Sequence, residues 1–248
     1  MSLCFGLALL KPRTSLCLQL GNNHVNFVKA SSRSICSLSG LDSAIKGYIF
    51  GENKATQVAH LLWKQVVKKG DIVVDATCGN GYDTLALAKL VIDDTAQGGC
   101  VYGLDLQQDA INTTSHLIES SLNPLQRKSV KLFLSCHSKM AQLLPENTSI
   151  FLCAHRLVSF NLGYLPGGDK KIITKSDTTL QALKAAKELL LPGGVISVVA
   201  YVGHPGGREE YEIVQGFASG LPPETWSCSQ IQMLNKSSAP ILVFLFKR

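Results

Sequence analysis

Two glycines, Gly79 and Gly81, stand between an apolar run that ends at Asp75 and a segment with apolar residues at helical spacing. This order predicts a strand, a tight loop and a helix. Glycine permits backbone angles that a side chain would forbid, and it lets a ligand lie against the main chain. The first turn of the helix offers unpaired N–H groups and a partial positive charge. The sequence therefore predicts a small-molecule site at this loop.

A second acidic residue, Asp105, ends the next predicted strand, at residues 101–106. In nucleotide-binding folds an acid at this place hydrogen-bonds ribose hydroxyls. The simpler alternative is that Asp75 and the two glycines only build a turn. Because Asp105 stands at the expected place independently of the glycine loop, the two features together favour a nucleoside cofactor.

The glycine loop departs from the dinucleotide fingerprint, which needs a third small residue three positions after the second glycine. That place is taken by Thr84. Asp75 and Asp83 would also repel a pyrophosphate, whereas they suit a ligand with an amino group and a sulfonium. The pattern from Asp75 to Gly81 resembles motif I of the class I S-adenosylmethionine (SAM) methyltransferases. A dinucleotide-dependent oxidoreductase is the alternative.

A second motif, residues 161–170, follows the fourth predicted strand and is rich in glycine and proline. The carboxyl ends of central strands are where ligands bind in open α/β sheets. Asn161 and Tyr164 have the spacing of the Asn-Pro-Pro-Tyr motif of amino-methyltransferases. An amide oxygen there can accept hydrogen bonds from an amine and aim its lone pair at a methyl group, while Tyr164 could stack on a base. The alternative is a structural turn with a core tyrosine.

Alternating strand and helix patterns surround these motifs and predict one α/β domain. The predicted helices and strands are helix 53–69, strand 71–77, helix 83–91, strand 101–106, helix 108–120, strand 130–135, a short helix to 144, a strand within 150–160, helix 177–191, strand 195–201, helix 208–219, and strands 226–234 and 241–246. This order resembles the Rossmann-like class I SAM-dependent methyltransferase fold. That fold is a seven-stranded, mostly parallel sheet with helices on both faces and an antiparallel last strand.

Residues 1–40 contain no Asp or Glu, four basic residues and many Ser and Leu. This composition predicts an organellar transit peptide, with a disordered tail as the alternative. A chloroplast is favoured over a mitochondrion because Arg is sparse and Ser is abundant. The methyltransferase domain is expected over residues 53–248. No apolar run reaches the roughly 18–20 residues that cross a bilayer, so no membrane partner is predicted.

Without residues 1–40 the formal net charge falls from +6 to +2. A body so close to neutral does not indicate nucleic-acid binding from bulk charge, so any RNA must be held by a local patch. The eight cysteines include no C-x-x-C pair, so neither a zinc site nor a disulfide framework is predicted. We therefore expect no metal.

Five segments together are similar to the bacterial YtqB/MnmM family, long labelled rRNA methylases: residues 75–84, 105–107, 161–170, 176–179 and 203–207. The similarity extends over the body of the chain but not over its leader. It implies a SAM-dependent tRNA methyltransferase that converts wobble 5-aminomethyl-2-thiouridine to the methylaminomethyl form. The implied partner is a tRNA anticodon stem-loop, and a homodimer is a further prediction.

The motifs and this resemblance together predict the residues of the site. The cofactor set is Asp75, Thr77, Gly79, Asn80, Gly81, Asp83, Thr84, Asp105, Leu106, Gln107, His137 and Asn161. The catalytic set is Asn161, Tyr164 and Asp169, and the substrate set is Gly163, Tyr164, Gly167, Gly168, Lys170 and His204. Tyr164, Asp169 and His204 are candidate general bases by location. Loop cations (Lys170, Lys171, Lys175 and Arg208) could hold stem phosphates or be an ordinary solvated surface.

Segment 150–156 looks several residues longer than the family's approach to the fourth strand. An insertion there could bulge the strand or arise from an alternative transcript, and either would put the activity of this form in question. His155 lies in that segment and is not expected to act as a catalytic base. Two alternatives to tRNA methylation remain at this point. One is a SAM enzyme that acts on rRNA or on a small amine, and the other is a catalytically silent RNA-binding paralogue.

Overall fold

The computed structural model describes residues 38–95, 98–144 and 155–248, in which seven strands form one sheet. The strands are β1 (Ile72–Asp75), β2 (Cys100–Asp105), β3 (Val130–Leu134), β4 (His155–Leu162), β5 (Leu190–Ala200), β6 (Trp226–Ile231) and β7 (Ile241–Lys247). Their order across the sheet is β3-β2-β1-β4-β5-β7-β6. Strands β1 to β5 pair in parallel, whereas β7 runs antiparallel to both β5 and β6. The predicted class I methyltransferase fold is confirmed.

Helices cover both faces of this sheet. They are α1 (Leu38–Ile49), α2 (Ala55–Val66), α3 (Tyr82–Val91), α4 (Gln108–Ser121), α5 (Pro124–Arg127), α6 (Met140–Leu143), α7 (Ser176–Leu189) and α8 (Gly207–Ser219). Successive residues of a strand point to opposite faces. Accordingly Val73 belongs to the core under α1 to α4, and Val74 to the core under α6, α7 and α8. All four residues of β1 are buried, as a strand covered on both faces should be.

Helix α1 was not predicted. It begins within the last residues of the predicted leader and ends before the first predicted helix. Its Tyr48 side chain is buried, and the Tyr48 hydroxyl donates a hydrogen bond of 2.7 Å to the main-chain oxygen of Pro240. The described chain from Leu38 onward belongs to one compact unit.

Strand β4 carries the bulge that an insertion would produce. Ile72 of β1 pairs with His155, but the next residue, Val73, pairs with Leu157, so Arg156 is extra. The Arg156 side chain leaves the sheet and donates to the main-chain oxygen of Pro192 at 3.2 Å. The strand also continues to Leu162, two residues beyond the predicted limit, so Asn161 lies at a strand end rather than in a loop.

Parts of the sequence predictions fall outside the described residues. These parts are residues 1–37 of the leader, residues 96–97, and residues 145–154, which include the start of the predicted fourth strand. Within the ranges that are described, no helix combines the length and the apolar character needed to cross a bilayer.

Candidate functional site

A cleft of about 1060 Å³ opens where β1, β2, β4 and β5 end. This is the carboxyl edge of the parallel strands, where the sequence predicted a ligand. Its volume lies at the upper end of the range for small-molecule sites. Twelve of the predicted site residues line it: Thr77, Gly79, Asn80, Asp83, Asp105, Leu106, Gln107, His137, Asn161, Gly163, Tyr164 and His204.

Asp75 lies beneath the cleft and does not line its wall. Its carboxylate is buried and accepts hydrogen bonds from the Thr84 hydroxyl at 2.6 Å and from the Thr77 N–H at 3.2 Å. Burial, and then the nearby Asp83 carboxylate, raise the pKa of Asp75 to about 7. The interpretation of Asp75 as a direct contact for an amino group is therefore replaced by a supporting role, in which Asp75 and Thr84 hold the loop from below.

Gly81 also supports the loop from outside the cleft. It caps α3 in the left-handed conformation, with φ of 84°. A Cβ atom at this position would lie 2.9 Å from the Cα atom of Thr114 in α4. The Thr114 hydroxyl in turn donates to the main-chain oxygen of Gly79 at 3.1 Å. The close approach of α4 therefore requires glycine here.

Asp105 faces the cleft as predicted. One carboxylate oxygen accepts from the Gly79 N–H and the other from the Gln107 N–H, both at 2.9 Å. Each carboxylate oxygen can accept a second hydrogen bond. A ribose diol would supply two such donors.

His137 lines the neighbouring wall and is almost fully buried. Its Nε2 lies 3.3 Å from the Thr178 oxygen, and the Thr178 hydroxyl donates to the main-chain oxygen of Lys175. Because that hydroxyl hydrogen is already used, the His137 Nε2 must carry a proton and donate it to the Thr178 oxygen. Burial lowers the pKa of His137 to about 4, so the ring is neutral near pH 7. A neutral, partly apolar wall suits a nucleobase.

Hydrogen bonds hold the second motif against the first. The Asn161 N–H donates to the Thr77 hydroxyl oxygen at 2.7 Å, and the Asn80 side chain donates to the main-chain oxygen of Pro166 at 3.2 Å. Gly163 and Thr174 are paired by two hydrogen bonds of 2.9 Å, one of them to the Thr174 hydroxyl oxygen. The two motifs therefore form the opposite walls of one cleft.

The Asn161 side chain has one satisfied end and one free end. Its Nδ2 donates to an Asp83 carboxylate oxygen at 3.2 Å. Its Oδ1 is buried and has no hydrogen-bond partner among the described residues. A buried acceptor without a partner is costly unless a ligand supplies a donor. The site therefore offers a place for an N–H group.

The outer part of the second motif lies away from the cleft wall. Gly167, Gly168, Asp169 and Lys170 do not line the cleft. Asp169 is exposed, and its carboxylate accepts from the Lys171 N–H at 2.9 Å, which closes a turn. The predicted catalytic role of Asp169 has no support from this position.

Tyr164 and His204 face each other at the mouth of the cleft. Their rings meet edge-on with centroids 5.8 Å apart, and the Lys170 Nζ lies 5.8 Å from the Tyr164 ring centroid. His204 Nδ1 donates to the main-chain oxygen of Pro205 at 2.9 Å, and its Nε2 is buried with no hydrogen-bond partner among the residues that the structure describes. Lys170 approaches the site through its contact with the Tyr164 ring.

Several residues of the cleft were not predicted from the sequence. They are Lys54, Thr56 and His60 around the start of α2, Tyr82 at the start of α3, and Tyr201 and Ser238 on the far side. His60 Nε2 lies 2.6 Å from the Asp83 carboxylate. A polar residue on an amphipathic helix is ordinarily expected to face solvent, so the sequence carried no local signal for His60. The position of Tyr201 after β5 was a usable signal, because β5 ends at the same edge.

The described residues fit SAM. Gly79 leaves room against the main chain, Asp105 can take a ribose diol, and His137 offers a neutral wall. Asp83 supplies a negative charge of the kind that favours a sulfonium or an amino group. Among the described residues, no group of three or more His, Cys, Asp and Glu is placed to hold a metal ion.

Comparisons with known proteins show the family of this chain. Residues 101–247 match the family described as "Putative rRNA methylase". A chloroplastic tRNA (mnm(5)s(2)U34)-methyltransferase of Arabidopsis thaliana is 56% identical over 212 residues, which cover 85% of this chain and 76% of that protein.

Solved structures with the same fold include two that cover 79% of this chain. One, from Clostridium thermocellum, carries the same rRNA-methylase description, with 40% identity, a TM-score of 0.70 and 98% of its own chain covered. The other is SMU.1697c of Streptococcus mutans in complex with SAH, with 31% identity, a TM-score of 0.66 and 99% of its own chain covered.

Proposed function

The chain belongs to the rRNA methylase family, and from this membership we propose that it methylates the amine of 5-aminomethyl-2-thiouridine at the wobble position of a tRNA. It is a class I SAM-dependent methyltransferase, and the Arabidopsis thaliana relative is named for the methylaminomethyl product at U34. The observation that carries the choice of an amine is the buried, unpartnered Oδ1 of Asn161.

In this proposal the chain acts mainly by positioning the reactants. Bound SAM supplies an electrophilic methyl group. Asn161 Oδ1 accepts one N–H of the acceptor amine, which directs the nitrogen lone pair across the cleft. Holding two reactants in a fixed geometry can supply roughly 7–11 kcal/mol of barrier reduction. The Thr77 hydroxyl fixes the main chain of Asn161 from the cofactor side.

The amine must be neutral when it attacks, and an alkylammonium is mostly charged near pH 7. Burial disfavours the charged form of an amine and lowers its pKa. The acceptor end of the cleft is lined by Tyr164, Tyr201 and His204, whose rings would exclude water once the acceptor base is bound. Enclosure by these rings is the means by which we expect the amine to lose its proton.

We propose that RNA is held at the mouth of this cleft. Exposed Lys54 and Lys175 lie on its rim and can bind phosphates. Tyr82 is 70% exposed on the same rim and can stack on a base. Phosphate-binding lysines around a stacking tyrosine suit an RNA loop in which one base is turned outward, such as an anticodon loop. A homodimer stays a prediction.

We propose that the protein acts in the chloroplast. The Arabidopsis thaliana relative is named as chloroplastic, and the acid-free, Ser-rich composition of residues 1–40 agrees with that location. The test is the location of a fluorescent fusion to residues 1–40 in leaf cells. Signal in mitochondria would overturn the proposal.

The decisive experiment uses purified protein, labelled SAM, and tRNA from cells that accumulate the aminomethyl precursor. Mass spectrometry of the digested nucleosides should show one added methyl on 5-aminomethyl-2-thiouridine. The Asn161→Ala variant should lose at least about 100-fold in kcat/KM while it still binds SAM. Asn112→Ala, an exposed position on α4, is the matched control and should behave as wild type.

The family description also names rRNA, which makes rRNA the second candidate acceptor. The same assay with ribosomal RNA from the same cells separates the two. Transfer to rRNA with none to the tRNA nucleoside would overturn the tRNA proposal. SAM binding without transfer to either RNA would favour a small-amine acceptor, and tRNA binding without SAM binding would favour a silent paralogue.

A further inference from the structure

Three side chains from three different elements form a hydrogen-bonded chain at the acceptor end of the cleft. His60 of α2 contacts Asp83 of α3, with 2.6 Å between Nε2 and Oδ1. The other carboxylate oxygen of Asp83 accepts from Nδ2 of Asn161, at the end of β4, at 3.2 Å. All three residues line the cleft.

The carboxylate decides which way the Asn161 amide faces. An ionised carboxylate accepts hydrogen bonds and cannot donate them. Only the NH₂ end of the Asn161 amide can therefore face Asp83, because the flipped amide would set oxygen against oxygen. Oδ1 is left on the opposite side of the amide, where it is buried and has no partner in the described chain.

His60 fixes the carboxylate in turn. Its side chain is 28% exposed and that of Asp83 is 13% exposed, so the contact lies partly out of water. The His60 ring also packs on Trp63, with centroids 4.6 Å apart, and Trp63 is buried in the core under α2. The Nε2 of His60 is thus held in place by the helix that carries it, and it occupies one oxygen of Asp83.

Asp83 is also close to the far wall of the cleft. Burial raises the pKa of Tyr201, and the Asp83 carboxylate raises it further. Tyr201 is therefore a neutral phenol near pH 7 and does not compete with Asn161 as an anion. The Asp83 carboxylate therefore acts on both the Asn161 amide and the Tyr201 ring.

We propose that His60 is a positioning residue for methyl transfer. By pinning Asp83 it fixes the Asn161 amide with Oδ1 toward the acceptor, and this orientation selects an acceptor that brings an N–H group. The inference rests on the proposed amine methylation, and it adds that selectivity depends on a side chain of α2 that acts through Asp83. A site with the opposite amide orientation would favour acceptors that bring only lone pairs.

The test compares four variants (His60→Ala, His60→Gln, Asp83→Ala and the double variant of His60→Ala with Asp83→Ala) and one control with wild type on precursor tRNA. His60→Ala should lower kcat on the order of 10–100-fold and leave the affinity for S-adenosylhomocysteine, measured by calorimetry, within about twofold. His60→Gln, whose Nε2 can donate to the same carboxylate oxygen, should recover most of that loss. Asp83→Ala should lower kcat at least as much, and adding His60→Ala to it should cost nothing further. His116→Ala, an exposed histidine of α4, is the matched control.

Each outcome has one meaning. If wild type does not methylate the tRNA, the proposed function fails before His60 is tested. If wild type is active and His60→Ala is equally active, the positioning role is overturned. A loss of S-adenosylhomocysteine affinity in His60→Ala overturns it too, because the chain would then serve the cofactor. If His60→Ala does not fold, a folded His60→Gln with kcat as low as that of Asp83→Ala would overturn the role, and near-normal kcat would support it.

Discussion

The main-chain N–H of Asn161 donates to the side-chain oxygen of Thr77 at 2.7 Å. Thr77 follows β1 in the cofactor wall, and Asn161 ends β4 in the acceptor wall. The two strands are neighbours in the sheet, and this bond extends their contact beyond the end of β1, to the point where a methyl group would cross. Both stability and turnover should depend on it.

Thr77→Val should destabilise the protein by about 1–3 kcal/mol. Valine keeps the shape of threonine but leaves the Asn161 N–H without its acceptor. Thr77→Ser keeps the hydroxyl and should lose less than half as much. Urea unfolding measures the stability, and steady-state kinetics should show a lower kcat for valine. Equal stability of the two variants would contradict this account.

Gly81→Ala should cost more than Gly70→Ala. Both glycines have left-handed backbone angles, with φ of 84° and 90°. A Cβ at position 70 would meet nothing within 4 Å, whereas at position 81 it would lie 2.9 Å from the main chain of α4. Strain alone should cost Gly70→Ala about 1–2 kcal/mol. Overpacking should add about 1–3 kcal/mol for Gly81→Ala, together with weaker binding of S-adenosylhomocysteine. Thermal and urea unfolding of both variants provide the comparison.

The strands around the site could be predicted from the sequence because their signals are local. The apolar run that ends at Asp75 and the one that ends at Asp105 each lie between turn residues, and both strands were found. Helix α1 was missed because four of its residues, Ser39, Gly40, Ser43 and Gly47, are weaker helix formers than alanine, and because its start overlaps the predicted leader. It is stabilised by a contact between Tyr48 and Pro240, 192 positions apart, which no local pattern contains.

Local sequence patterns also could not show which of the predicted site residues face the cleft. Composition and spacing placed Asp75 and Asp83 at one edge of the sheet, but they could not tell which carboxylate faces the cleft. That depends on Thr84, which turns its hydroxyl down to Asp75 at 2.6 Å. It depends also on α2, which brings His60 to Asp83. Side-chain direction at a helix start is a tertiary property, so it had to come from the structure.

The buried Asp75 should make stability fall as the pH rises. The folded protein keeps the Asp75 proton up to about pH 7, whereas the ordinary pKa of this carboxyl is 3.8. Between these values the folded chain binds more protons than the unfolded chain, so the free energy of unfolding decreases as the pH rises. Relative to Asp75→Asn, wild type should lose on the order of 3 kcal/mol between about pH 5 and pH 8. Urea unfolding across this range, with the exposed Glu224→Gln as the control, measures the difference.

His137 should act in the opposite direction. Burial lowers the pKa of His137 from 6.5 to about 4. Between these pH values the unfolded chain binds a proton at this residue and the folded chain does not. The contribution of the neutral His137 ring to the free energy of unfolding is fully present above pH 6.5 and is lost as the pH falls toward 4. Relative to His137→Gln, wild type should lose about 2 kcal/mol between pH 7 and pH 5. The pH dependences of stability caused by Asp75 and by His137 have opposite signs in wild type, so each is measured by comparing wild type with the variant that removes that group. A pH-independent difference between wild type and His137→Gln would contradict a neutral buried ring.

Glu210 of α8 should stabilise the second motif through hydrogen bonds to residues that do not carry the chemistry. Its buried carboxylate accepts from the Thr174 hydroxyl at 2.7 Å and from the Thr179 hydroxyl at 2.6 Å. The Thr174 oxygen also accepts from the Gly163 N–H, one residue before Tyr164. Glu210→Ala leaves both hydroxyls without their acceptor, so we expect a loss of about 2–4 kcal/mol in stability and a lower kcat, because Tyr164 loses its support.

Glu210→Gln keeps the shape and one acceptor oxygen, and it should retain more of both properties than alanine does. Glu212→Gln, on the exposed face of the same helix, should change neither. Urea unfolding and kinetics on precursor tRNA distinguish the three variants. If Glu210→Ala loses stability and keeps its kcat, the carboxylate stabilises the fold without positioning the acceptor loop. If it loses both, the loop that receives the amine depends on a residue of α8 that does not line the cleft.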